Sequence, residues 1–415
     1  MDRRSFVKNS LVSGLALLSA KSIFAAGISS PKLNIGIIGS GNRGQGLAHI
    51  LRDFEPIHVG ALADTLPFRL EEARAIAPGA SPYKDYRKLL DDKSIDAVVI
   101  ATPMSTHEQI AIDALDAGKH VYCEKTLVKG LHGIQHILDK EAAAPQLVFQ
   151  SGHQYRSSPL YNEVRSMVQS GYLGDITAIH CQWNRNNSWR KPVPDPSLER
   201  QINWRLYREF SGGLVSELMS HHMDFVNWVS DSTPSRICAL GGIDHWKDGR
   251  ENADNVHALF EYPSGMDASF TCTTTNGYED FQIKILGSNA TIVMQRSDAK
   301  IFIEQQSRGK KIIVDGVTGA TATAWQRGEG ATIEAPGQNP TKDALAEFYD
   351  AIVHGTAVKS NVYEAANTAK SVQLTLNALD KQKVVYWKDY PELAYAPVDQ
   401  QKNALKDKKM IARSI

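Results

Sequence analysis

Glu217 and His221 stand four residues apart in a stretch, 214–229, whose apolar spacing predicts a helix, so their side chains share one face. An imidazole suits the removal of a hydroxyl proton near neutral pH, and a carboxylate one turn away would orient it and stabilise its cation. Asp224, three residues past His221, is expected on the same side, and the adjacent His222 could exchange roles with His221. Lys125, just past the apolar run 120–123, offers an ammonium to a substrate or ribose oxygen. Together these residues suggest loss of a hydroxyl proton coupled to loss of hydride from the same carbon. His221 is the base, Glu217 its electrostatic partner, and Lys125 the positioning and proton-relay residue. Two other readings stand beside this one. Glu217 and His221 could be a surface pair, or His221, His222 and Asp224 could ligate a metal. Neighbouring residues on a helix point apart, so no metal is expected.

The elements that must position these groups start with 32–38, an apolar run read as a buried parallel strand. Gly39-Ser40-Gly41-Asn42-Arg43-Gly44 follows at once and opens a helix at 45–51. This G-x-G-x-x-G turn allows backbone to approach a pyrophosphate, whose charge the helix N-terminus favours. A second strand, 57–63, ends in Asp64, twenty residues past Gly44, where a carboxylate can bind ribose hydroxyls and repel a 2′-phosphate. NAD is therefore preferred over NADP, with Arg43 and Arg69 softening the preference. Strands at 96–101, 120–123 and 146–150 alternate with helices at 106–117 and 131–143. That alternation predicts a doubly wound parallel sheet with its ligand at the strands' carboxyl ends, where Thr102, Pro103, His107, Glu124 and Lys125 fall. Gln154, Tyr155 and Arg156 follow the last of these strands, near the expected nicotinamide.

Past residue 152 the pattern changes. A linking helix at 158–170 leads to strand candidates at 176–183, 236–240, 256–262, 268–274, 281–286 and 291–294, read as a largely antiparallel sheet. Helices at 344–353 and 363–379 are amphipathic and are expected to pack back on the body. The stretch 183–190, with Trp183, and Asn203-Trp204-Arg205 combine indole faces with Asn and Arg donors. Such groups suit the C–H faces and hydroxyls of a sugar, or a polar interdomain loop with core tryptophans.

The N-terminus reads Met1-Asp2-Arg3-Arg4-Ser5-Phe6-Val7-Lys8, then an apolar stretch at 11–20 and small residues at 25–27. This is a leader, with the arginine pair of the route that exports folded proteins; the alternatives are an ordinary secretory leader or an uncleaved anchor. Export with the export machinery for folded proteins implies a periplasmic or otherwise exported protein that keeps its NAD tightly bound. Lys+Arg and Asp+Glu both number 46, which gives no basic excess of the kind that marks a nucleic-acid partner. Cys123, Cys181, Cys238 and Cys272 match no zinc spacing and read as small buried side chains.

With these pieces assembled, the chain resembles the Gfo/Idh/MocA oxidoreductases. The resemblance is carried by Gly39 to Gly44, Ala63-Asp64, Ala101-Thr102-Pro103 with His107, Ala117-Gly118-Lys119-His120-Val121 leading to Glu124-Lys125, and Gly212-Gly213 leading to His221 and Asp224. Three positions depart from the family pattern: Thr126 replaces the proline after the lysine, Glu217 an aspartate, and Met219 a common glycine. The resemblance implies an α/β fold, a Rossmann domain plus an α+β domain whose open sheet face meets it. The expected organisation is a leader at 1–30, the NAD domain at 31–155, the substrate domain at 156–340 and C-terminal helices at 341–415. The expected reaction is hydride transfer between NAD and a secondary hydroxyl of a sugar, with C3 of a pyranoside assigned by analogy. Tyr155, Arg156, Trp183, Trp204, Arg205, His222 and Asp224 are expected around that sugar. The alternatives are a family-109-type glycosidase, which oxidises its substrate transiently, and a non-catalytic binder. The open sheet is compatible with a homo-oligomer.

Overall fold

The computed structural model describes residues 31–304, 330–335, 337 and 339–391. The leader and the tail from 399 lie outside the described residues. The first sheet takes its strands from apolar runs: β1 (Leu33–Ile38), β2 (Ile57–Ala63), β3 (Ser81–Tyr83), β4 (Ala97–Ile100), β5 (His120–Cys123) and β6 (Phe149–Ser151). All four residues of β4 are buried, as expected of a strand covered on both faces by helices. The strands are parallel in the order β3-β2-β1-β4-β5-β6, so the winding reverses between β1 and β4, where ligands of such sheets bind. β3 has no apolar run of its own; it is placed by pairing with β2.

The second sheet contains β7 (Ile176–Asn186), β8 (Arg236–Gly242), β9 (Asn255–Glu261), β10 (Asp267–Thr273), β11 (Thr275–Gly287), β12 (Ala290–Met294), β13 (Ala299–Ile303), β14 (Ala331–Thr332) and β15 (Val385–Tyr386). Their order is β14-β13-β12-β11-β7-β10-β9-β8-β15. β7 and β10 run parallel and the other pairs antiparallel, so the sheet is mixed. Its strands alternate: in β9, Val256, Ala258 and Phe260 are buried and His257 and Leu259 exposed. The buried face meets the Ser220–Ser230 helix through Met223, Val226 and Phe270. The Pro340–His354 helix packs on the first sheet through Leu345 and Phe348. The Val362–Lys381 helix contributes to the cores of both sheets, through Ala365 on one and Val372 on the other.

Two expectations about elements are corrected. The strand expected at 146–150 lies at Phe149–Ser151, because Leu147 is buried as a loop side chain and supplies part of the apolar signal without pairing. The single helix expected at 214–229 is a π-helical turn, Val215–Met219, followed by the Ser220–Ser230 α-helix. Among the described residues no helix is long and apolar enough to cross a membrane.

Candidate active site

At the end of β1 the chain turns through Gly39, whose φ of +94° suits glycine. The Asn42–Arg52 helix starts at once with Gly41 as N-cap, and no side chain satisfies its first N–H groups. Those groups are free for an anion, and the helix dipole favours one. A Cβ on Gly44 would stand 2.0 Å from the Gly39 carbonyl oxygen, so only glycine lets helix and strand approach this closely. At the end of β2, Asp64 is fixed by two backbone donors: Ser40 N to Oδ2 at 2.8 Å and Leu66 N to Oδ1 at 2.9 Å. Burial raises the Asp64 carboxyl pKa, and those amides and Arg69 act against it. Asn42, Arg43, Asp64, Thr102 and Pro103 line a cavity of about 520 Å³. A glycine turn, open helix N-terminus and fixed carboxylate on one wall fit a dinucleotide, with pyrophosphate at Gly41–Arg43 and ribose at Asp64.

The opposite wall comes from the loop 187–210: Lys191, Gln201, Ile202, Trp204, Arg205 and Phe210. That loop is tied down along its length. Arg190 pairs with Glu199 and, at 3.2 Å, with Asp248. The Asn203 amide accepts from Lys191 N at 2.7 Å and donates to its carbonyl at 3.0 Å. Ser105 N donates to the Phe210 carbonyl at 3.2 Å.

A second cavity, about 580 Å³, shares Asn42, Arg43, Thr102, Lys191, Trp204 and Arg205 with the first. Its remaining walls include Glu124, Lys125, Gln154, Trp183, Arg185, Trp189, Glu217 and His221. Glu124 follows β5 and accepts from Arg43 Nε at 2.7 Å. Lys125 Nζ donates to the carbonyls of Ser216 (3.2 Å) and Glu217 (2.8 Å) and lies 4.0 Å from Glu217 Oε2. Two of its three donors are thus used and one is left. Burial lowers the Lys125 pKa, opposed by Glu217 and Glu124. Thr126, where the family has proline, is buried, and its hydroxyl donates to the Ser216 carbonyl at 3.1 Å. A tether that proline could not make thus holds this turn.

His221 meets Trp183, His153 and Tyr155 ring to ring, with centroids 5.5, 6.2 and 5.3 Å away. Burial first, then Lys125, His153, His222 and Arg43, holds its pKa well below the usual 6.5, so the ring is neutral. Glu217 is taken up by Ser211 (3.0 Å), Arg205 (2.9 Å) and Lys125 rather than by His221. Burial would raise the Glu217 pKa, but Lys125, Arg205 and Ser211 hold it below the ordinary value. The expected Glu217–His221 partnership is therefore corrected. Glu217 anchors the two cations: it and His221 line the same cavity, but its carboxylate is taken by Arg205, Ser211 and Lys125.

Five other expected site residues lie elsewhere. Asp224 and Arg156 form a buried bidentate pair (2.8 and 2.9 Å), joined by Thr368 and Glu364. They brace the helices and do not reach the cavity. His222 is fully buried against Trp183 and Phe281, with centroids 5.7 and 4.6 Å away, and burial, then Arg296, lowers its pKa to about 3. His107 is also buried, its two ring nitrogens 2.9 and 3.0 Å from the Thr126 and Thr102 carbonyls, so it spaces two loops and lines neither cavity. Tyr155 stacks on Tyr161 at 4.6 Å and supports the His221 ring. Trp183, Trp204 and Arg205 do line the cavity. Sequence reasoning missed Lys191 and Ser211. Lys191 borders the tryptophan-rich stretch already noted, whereas nothing local marks Ser211.

A profile described as "Oxidoreductase family, NAD-binding Rossmann fold" matches residues 33–153, and one described as "GFO/IDH/MocA C-terminal domain" matches 161–293. Myo-inositol 2-dehydrogenase of Thermotoga maritima is 24% identical over 290 residues, 68% of this chain and 81% of the relative. Inositol 2-dehydrogenase of Acidothermus cellulolyticus is 26% identical over 272 residues, 63% of this chain and 72% of the relative. Among solved structures, a levoglucosan dehydrogenase in complex with NADH aligns with a TM-score of 0.69 at 22% identity, covering 86% of this chain and 99% of that one. At that identity the likeness shows the fold.

Proposed function

The chain belongs to the Gfo/Idh/MocA oxidoreductases, with an NAD-binding Rossmann domain, and we propose that it moves hydride between tightly held NAD and a secondary hydroxyl of a sugar or cyclic polyol. The observation that carries this reading is one cavity in which Lys125 and His221 meet unsatisfied polar atoms. Gln154 Oε1, Trp183 Nε1, Arg185 Nε and His221 Nδ1 are buried without a hydrogen-bond partner among the described residues. A ring carrying several hydroxyls supplies both donors and acceptors to the polar side chains that line this cavity. The indoles of Trp183, Trp189 and Trp204 offer faces to its C–H groups. The relatives' named substrates support the class: inositol in the curated relatives, levoglucosan in a solved complex with NADH.

Bound in the groove, the nicotinamide supplies the hydride acceptor. The free N–H of Lys125 Nζ holds the substrate oxygen and, as a cation, favours its deprotonation. His221, neutral and lining the same cavity, receives the proton. Glu217 keeps Lys125 and Arg205 in place and offsets their charge. The loop 187–210, forming the far wall of both cavities, excludes water and retains the dinucleotide. We assign the oxidised carbon as C3 of a pyranoside.

The test is a mass spectrum of glycosides and inositols incubated with the purified protein. A product two hydrogens lighter with its aglycone intact is expected, and the denatured protein should release NAD. Aglycone release with an unoxidised sugar would replace this reading by a redox-neutral glycosidase, and binding without conversion by a non-catalytic binder. We further propose that the Arg3-Arg4 leader exports the folded, cofactor-loaded protein. Export that persists in cells lacking the folded-protein route would overturn that part.

A further inference from the structure

Away from both cavities, the His107–Asp116 and His132–Ala142 helices pack side by side on the first sheet. Glu108 projects from the first, and His132 and His136, one turn apart on a common face, from the second. One donor atom from each of the three lies within 4.8 Å of the others. Glu108 Oε1 is 2.9 Å from His136 Nδ1, and the two imidazoles meet edge to face with centroids 4.1 Å apart.

Gly133, between the two histidines, is the independent observation. It is a poor helix former in the first turn of a helix, and its φ is not in the left-handed region. What its missing side chain provides is room: a Cβ there would stand 2.2 Å from Glu108 Oε2. The glycine thus admits the carboxylate beside two imidazoles that belong to the other helix.

We propose that Glu108, His132 and His136 form a binding site for a zinc-class divalent ion. Two imidazole nitrogens, borderline donors, with a single carboxylate oxygen suit Zn²⁺ and its late first-row neighbours better than Ca²⁺ or Mg²⁺, which take all-oxygen sets. Three protein ligands leave a tetrahedral position for water. The His136 and Glu108 side chains are 49% and 32% exposed, so the ion reaches them from solvent without opening the fold. Its effect follows from where the ligands sit. Glu108 follows His107, whose ring holds the Thr102 and Thr126 loops, and His132 opens the helix that the segment from Lys125 leads into. The ion bolts together the two helices behind those loops.

The experiment is calorimetric titration of the untagged, full-length protein with Zn²⁺ near pH 7.5. One equivalent should bind, at least tenfold more weakly in the His132→Gln/His136→Gln double variant. Saturating Zn²⁺ should raise the Tm of the wild type and not of that variant. Gly133→Ala keeps all three donors and displaces only the carboxylate; it should weaken binding several-fold, as should Glu108→Gln. Adventitious binding to surface histidines predicts no change in either. Equal affinity in the wild type and the double variant, or in the wild type and Gly133→Ala, overturns the proposal.

Discussion

Glu217 and Asp224 stand seven residues apart and each meets an arginine, yet the two neighbourhoods differ in how completely their bonds are closed. Around Asp224 the set is closed: Arg156, with a side chain 1% exposed, gives it two donors, Thr368 a third, and Glu364 takes up more of the guanidinium. Around Glu217 it is open. Its arginine, Arg205, is 37% exposed, Lys125 keeps a donor in reserve, and His221 Nδ1 has no partner. A closed set of partners holds helices together, whereas groups left with capacity and facing a cavity are available to a substrate. Charge and burial alone would not separate the two.

The largest effect that sharpens this contrast is catalytic. His221→Asn or Lys125→Met should lower kcat/KM by about two to four orders of magnitude, the range for losing a general acid–base group. The Tm should move little for His221→Asn, because His221 Nδ1 has no hydrogen-bond partner, and should fall for Lys125→Met, which takes a donor from the Ser216 and Glu217 carbonyls. Next comes Asp224→Ala, which strands Arg156 as a buried, partly unpaired cation and should cost about 3–5 kcal/mol of stability. Denaturant titration reads that loss, while the remaining folded protein should turn over at close to the wild-type rate. If Asp224→Ala instead abolished turnover with stability intact, the division into open and closed clusters would be wrong.

The dinucleotide half was legible in the sequence because backbone and helix ends make its ligand contacts. Glycine spacing, the apolar run of β1 and Asp64 twenty residues on specify the groove with little help from distant residues. The substrate half was legible in its residue types and less so in its directions. The 214–229 apolar pattern reads as one α-helix, but its first turn is π-helical, and Glu217, although it lines the same cavity as His221, turns to Arg205, Ser211 and Lys125. Asp224 turns to Arg156, a partner 68 positions away, and His222 turns into the sheet under Phe281. Those choices are made by tertiary packing, and no local spacing records them. The same limit hid Ser211, whose hydroxyl matters only because the fold brings it to Glu217.

The smallest effect per step is the response to pH, and it separates the clusters in a second way. His107, His153, His221 and His222 are buried, and burial is the leading cause that lowers each pKa, to about 4 for His153 and about 3 for His222. In the unfolded chain each protonates near 6.5, so below that pH the unfolded state binds more protons and stability falls as pH falls. Each such histidine contributes about 1.4 kcal/mol per pH unit until its native pKa is reached. The lowered carboxyls of Asp224 and Glu217 add loss of the same sign at lower pH, and the raised Asp64 opposes it. Turnover by the folded protein should behave otherwise. His221 stays neutral well below 6.5, so the acid limb of kcat/KM lies below that pH, and the alkaline limb, set by Lys125, lies below the usual lysine value of 10.5. Denaturation midpoints and kcat/KM measured on the same samples between pH 7.5 and 5 test this. Stability should decline once the pH falls below about 6.5, while kcat/KM holds. A flat stability curve with an acid limb at 6.5 would mean that His221 titrates as an exposed imidazole and is not the buried neutral base.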